Sequence, residues 1–135
     1  MNTLKGIYVL IIQVNKDIKV DVGALGRIIF TKGVYAYVGS AQINMKRRIY
    51  RHLKSEKRKF WHIDYLLDNA TAKIVNVFFK EADKAEECKT AKTISERSSP
   101  VVGFGCSDCN CKSHLFHIEN YRFIQETMRA FPRET

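Results

Sequence analysis

The chain has 135 residues, 45% of them hydrophobic and 27% charged; the length suits one domain over 1–135, and the apolar share excludes a disordered tail protein. Its 23 basic side chains against 14 acidic ones leave a net charge of +9, which points to a polyanionic partner. No apolar run approaches the roughly 18 residues of a membrane span, and with only Lys5 ahead of the strand-sized run Ile7 to Ile12 no secretory signal is expected.

In chain order, Gly6 to Val14 reads as a buried strand and Asn15-Lys16-Asp17 as a turn. Ile18, Val20 and Val22 alternate with polar residues as in a half-buried strand, Arg27 to Phe30 forms a third strand, and Val34 to Val38 a fourth. Their short links predict antiparallel hairpins. A helix follows from about Asn44, its N-cap, to Lys54. A second covers Trp61 to Leu67, a strand Lys73 to Lys80, and a helix capped by Asp83 runs to about Glu96. Ser98-Ser99-Pro100 breaks that helix. A Cys-rich loop spans 103–114, then a strand Leu115 to Ile118, and a last helix capped by Asn120 carries Phe123, Ile124, Thr127, Met128 and Phe131 on one face. The core lies at about 4–97, and the sum is an α+β fold, a small antiparallel or mixed sheet flanked by helices.

The charge is concentrated. Between Lys46 and Lys59 lie Lys46, Arg47, Arg48, Arg51, Lys54, Lys57, Arg58 and Lys59 against Glu56 alone, a net +7. Such a stripe is the footprint of a nucleic acid, or else a solvated helix face that aids solubility. At about 100° per residue, Met45, Ile49 and Leu53 form the buried stripe of this helix. Arg48 and His52 share its flank, and Arg47, Arg51 and Lys54 point the opposite way. An Arg held by packing can aim its fork at one phosphate, or it covers the core edge with its stem.

On the helix after Asp83, Glu87 is in register with Ala91 and Ile94, so its carboxylate leaves the apolar face, while Glu86 turns to solvent. A carboxylate there needs a partner, either a hard cation or a buried basic group. Tyr35 and Tyr37 share one strand face, and with Tyr8 they are core residues or, beside an Arg, phenols that order a water.

Of the four cysteines, Cys106, Cys109 and Cys111 crowd into six residues, poor spacing for disulfides, so a reducing, cytoplasmic location is expected. Cys109, Cys111 and His114, with Cys88 or Cys106, offer a zinc ligand set. Alternatively Asp108, Cys109 and His114 shape the rim of a site, or the thiols respond to redox state. Trp61 to Asp64 reads as helix-entry packing, with His62 or Asp64 touching substrate as the alternative.

Gly6-Ile7-Tyr8 followed by Tyr37-Val38-Gly39 resembles the paired tripeptides of the GIY-YIG nuclease superfamily. The likeness continues through Ser40-Ala41 and Arg48-Ile49-Tyr50-Arg51-His52, with Arg48 one residue further past Tyr37 than the superfamily pattern sets it. Gly23-Ala24-Leu25-Gly26, Arg51-His52-Leu53, Trp61 to Leu66, Glu87-Cys88, Phe104-Gly105, Ser107-Asp108-Cys109, Cys111 and Ser113-His114-Leu115 are similar to a small branch sometimes fused to endonuclease III-type DNA glycosylases. The resemblance covers about 4–118. It implies phosphodiester hydrolysis, with catalytic Tyr8, Tyr37, Arg48, His52 and Glu87. Tyr8 and Tyr37 would flank the water, Arg48 and His52 face the phosphate, and Glu87 hold Mg²⁺ or Mn²⁺. The Asn that members carry after the Glu helix has no match; Ser107-Asp108 or Asn110 stands nearest. DNA, branched or damaged, is the implied partner, with a repair glycosylase as a further one and no membrane. The other readings are a non-catalytic nucleic-acid-binding module and a Cys/His protein that binds zinc or senses redox state.

Overall fold

The run Ile7–Ile12 belongs to the strand on which the rest of the molecule is built. In the computed structural model, which describes residues 5–54, 58–59, 61–105, 111 and 113–131, Gly6–Val14 forms β1. A strand with apolar residues at nearly every position is stable only when both faces are covered, and Ile7 to Ile12 are all buried.

β1 pairs antiparallel with β4 (Gly33–Ala41) on one side and β5 (Ala72–Glu81) on the other. A bulge in the β5 pairing falls at Ile11/Ile12. Beyond β4 lie β7 (Leu115–Ile118) and β6 (Ser99–Pro100), and beyond β5 lies β8 (Arg129–Ala130). The described residues therefore form a six-stranded antiparallel sheet ordered β6-β7-β4-β1-β5-β8. The alternating segment becomes β2 (Ile18–Asp21), which pairs with β3 (Arg27–Phe30) as a separate two-stranded sheet. Four α-helices complete the α+β architecture of these residues: α1 (Met45–Leu53), α2 (His62–Leu67), α3 (Ala85–Ser95) and α4 (Arg122–Thr127).

Alternation along β1 divides the core in two. Tyr8, Leu10, Ile12 and Val14 face α1, α2 and the β2–β3 hairpin through Met45, Ile49, Ile63, Leu66 and Phe30. Ile7, Val9 and Ile11 face α3 and α4 through Ala91, Ile94 and Ile124. Asn44 caps α1 as expected, its side-chain oxygen accepting from the Arg47 N–H at 3.1 Å. Among the described residues no helix is long and apolar enough to cross a membrane.

Three expectations need correction. Asp83 does not cap α3 with its side chain; its carboxylate pairs with Lys5, and the backbone carbonyl of Asp83 receives the Glu86 N–H. Ser99–Pro100 is not only a helix breaker but an edge strand, where a residue without an N–H is tolerated. The last helix stops at Thr127, because Arg129 and Ala130 gain ladder partners in Phe79 and Phe78. Met128 and Phe131 then leave the helix face, Phe131 joining the core on the Tyr8 side and Met128 the opposite one.

Candidate active site

The two tripeptides meet because β1 and β4 are antiparallel. Tyr8 lies directly across from Gly39, and Leu10 across from Tyr37. Two glycines are required here by close approach. A Cβ on Gly39 would run into the Tyr8 ring, and a Cβ on Gly6 into the carbonyl of Lys80 on β5. The Tyr8 ring can therefore pass directly against Gly39 of β4.

Below it, α1 presents the flank expected from its periodicity. His52 is buried, and its Nε2 lies 2.8 Å from the Tyr8 hydroxyl. Arg48 donates from Nη1 to the Ser40 carbonyl at 3.2 Å, and its guanidinium carbon sits 4.5 Å from the centre of the Trp61 ring. Hydrogen bond and cation–π contact together fix a fork that would otherwise swing in solvent. Tyr37 completes the wall, its ring 6.2 Å from those of both His52 and Phe104.

Glu87 arrives from the other side of the sheet, in the first turn of α3. Its side chain is 18% exposed, with Oε2 3.2 Å from Nδ1 of the buried His114. The same Nδ1 is 3.2 Å from the Val38 carbonyl. The carboxylate thus has the buried partner that its position demands, and it also borders open space. Tyr8, Tyr37, Arg48 and Glu87 line one cavity of about 290 Å³, together with Gly39, Ser40, Gln42, Trp61, Lys84 and Gly105. Glu86 points outward, as its spacing implied, and pairs with Lys80 at 3.3 Å.

The electrostatics of the cleft follow from burial. Loss of water pushes the Tyr8 phenol far above the ordinary phenol range, against the hydrogen-bonded Arg48 guanidinium that pulls it down. Tyr37 is raised for the same reason, with the neighbouring Tyr8 and Glu87 adding to the shift. Both are neutral hydroxyls at physiological pH. The carboxylate and hydroxyl oxygens suit a hard divalent cation, which one carboxylate and solvent-accessible space can accommodate.

The basic stripe divides. Arg47, Lys54, Arg58 and Lys59 are exposed and Lys46 is half-buried, while Lys57 lies outside the described residues. Lys59 is also engaged with Asp68 at 3.5 Å. Arg51 does not reach for solvent as its helix azimuth suggests. It curls back to grip the fully buried Asp64 with two bonds of 3.0 Å and stacks on the Trp61 face. Asp64 also accepts from the Trp61 N–H at 2.9 Å, so it is a structural anchor. A buried carboxylate demands such partners, and that demand outweighs an exposed phosphate contact for Arg51.

Trp61, sandwiched between Arg48 and Arg51, is the site residue that pattern reading assigned to packing alone. Its signal was available in retrospect: a lone Trp beside a run of arginines. His62 likewise has a supporting task. Its Nδ1 accepts from the Gly105 N–H at 2.8 Å, and burial lowers its basicity. Gly105, at φ +74°, occupies the left-handed region that favours glycine and brings its backbone against His114 and Tyr37.

Behind the cleft, Cys88, Cys111 and His114 form a group able to hold a metal ion, with ligand atoms all within 4.8 Å of one another. Cys109 and Asp108, expected beside them, lie outside the described residues, as do Cys106, Ser107 and Asn110.

The family model described as "Domain of unknown function DUF123" matches residues 7–135. Among curated proteins and among solved structures, none matches.

Proposed function

The chain belongs to the DUF123 family, and we propose that it is a divalent-metal-dependent DNA endonuclease of GIY-YIG type, acting on branched or damaged DNA. The observation that carries this reading is the convergence of Tyr8, Tyr37, Arg48 and Glu87 on one cleft from four separate segments. The exposed Arg47, Lys54 and Arg58 near Arg48 in the sequence supply positive charge to which a phosphate backbone can bind.

The residues divide the work by position. Arg48, immobilised by Ser40 and Trp61, meets the scissile phosphate and stabilises the charge that builds on its oxygens. The attacking water loses its proton through Tyr8 rather than to a phenolate, since burial keeps that phenol protonated. As the Tyr8 oxygen accepts the water's hydrogen bond, its own proton is directed to His52 Nε2 at 2.8 Å. Tyr37 closes the cleft wall and orients the same water. Glu87 would hold Mg²⁺ or Mn²⁺, which supplies Lewis-acid neutralisation at the leaving 3′-oxygen. His114 keeps the Glu87 carboxylate turned to the cleft.

The test is incubation of the full chain with plain, flapped and branched DNA, with and without Mg²⁺ or Mn²⁺. Metal-dependent nicking, abolished in Arg48→Ala and in Glu87→Ala, is the expected result. Salt-sensitive binding without nicking on any of the three would overturn the enzyme reading and leave a binding module.

A further inference from the structure

We infer that Cys88, Cys111 and His114 bind a zinc ion behind the cleft, and that this ion holds His114 in the orientation that positions Glu87. Three observations lead there. The donor set comes from two distant segments, Cys88 on α3 and Cys111 with His114 on the approach to β7, yet its ligand atoms gather within 4.8 Å. Two thiols and an imidazole suit zinc, whereas Mg²⁺ and Mn²⁺ prefer oxygen. The imidazole is also pre-oriented: Nδ1 faces Val38 O and Glu87 Oε2, both at 3.2 Å, which leaves Nε2 as the ligating nitrogen.

A cysteine in a protein interior is commonly no more than a small apolar residue. The group differs from that pattern because its histidine is already held in the carboxylate–imidazole arrangement that supports zinc ligands. Drawing the sulfurs to a tetrahedral ion needs a contraction of about 1 Å, given Zn–S bonds of about 2.3 Å. Access exists, since Cys88 and Cys111 line a cavity of about 710 Å³ along α3. On binding, each thiol releases its proton to solvent and the sulfur donates a lone pair to the metal, so no oxidant or reductant is needed.

Glu87 and Cys88 are adjacent on α3, so this ion would tie the first turn of that helix to the segment preceding β7. The catalytic carboxylate would then be held from behind by zinc through His114 and face a hard cation in front. Zinc binding itself does not rest on the proposed DNA cleavage, and it is read without any substrate.

The experiment is metal analysis of the full chain purified without chelators. About one zinc per chain is expected, lost in Cys88→Ser and in Cys111→Ser and retained in Arg48→Ala. Replacement by Co²⁺ is expected to give a thiolate-to-cobalt charge-transfer band. A metal-free wild-type chain that develops no such band on titration with Zn²⁺-free Co²⁺ would overturn the inference, as would folded serine variants that keep their zinc. Should a serine variant fail to fold, alkylation of the wild-type chain decides. Protection of Cys88 and Cys111 by zinc supports the site, and equal modification with and without zinc refutes it.

Discussion

The two faces of β1 carry the same kind of apolar row and put it to different uses. Ile7, Val9 and Ile11 interlock with α3 and α4 in a layer of apolar contacts. Leu10, Ile12 and Val14 do the same against α1, α2 and the β2–β3 hairpin, but the row begins with Tyr8. One hydroxyl at the strand's end converts a packing face into the wall of a cleft. Leaving that buried hydroxyl without partners would cost about 1–3 kcal/mol, and His52 and Arg48 meet the need. Polar groups gather at the end of the sheet, and apolar packing continues uninterrupted on the opposite face.

That contrast can be broken or sharpened by mutation. The largest effect is expected from Arg48→Ala, which should lower nicking by about 1,000-fold, roughly 4 kcal/mol, with little change in the denaturation midpoint. Single-turnover cleavage beside urea unfolding checks both halves. Ile11→Ala on the opposite face is expected to do the reverse, costing about 3 kcal/mol of stability while the surviving folded molecules cleave normally. Arg51→Ala should destabilise by about 2 kcal/mol, because Asp64 loses its guanidinium, and should leave the salt slope of DNA binding nearly unchanged. Were the slope to fall by a full unit, Arg51 would be a phosphate contact after all.

A smaller effect concerns pH. The folded state holds the Tyr8 and Tyr37 protons above the pH at which the unfolded chain releases them, about 10. Above that pH the unfolded state binds fewer protons, so stability is full below about pH 10 and falls as pH rises further. Tyr8→Phe should make this alkaline decline shallower by up to about 1.4 kcal/mol per pH unit, read from urea midpoints at several alkaline pH values. The smallest change is expected for the exposed Arg47→Ala, a loss of about one from the salt slope with no effect on folding.

Much of this was legible in the residues. The strand runs, the Asn44 cap and the α1 flank bearing Arg48 and His52 follow from periodicity, which reports the direction in which a side chain leaves its element. Glu87 was found the same way, in phase with Ala91 and Ile94. Periodicity says nothing of where a long side chain ends. Arg51 leaves α1 on the outer side, yet it ends on Asp64, a partner thirteen residues away that no local pattern reveals. Tertiary pairing was equally hidden. Arg129 and Ala130 look helical by their neighbours, and only the open edge of β5 draws them into a strand. The grouping of Cys88 with Cys111 and His114 crosses between α3 and the segment before β7; the residue types offered Cys88 or Cys106 as the further ligand, and only the tertiary fold singles out Cys88 among the described residues.

The order of the sheet has a consequence for biosynthesis. β1 is made before β4 and β5 yet sits between them, while Gly105 and His114, which brace the cleft, follow all three. A nascent polypeptide still lacking them holds no finished cleft, however well its early hairpins form. Such distant pairings are slow to close. The cleft is therefore complete only after the segment carrying Gly105 and His114 has been made, and fragments ending before that segment should lack its finished wall.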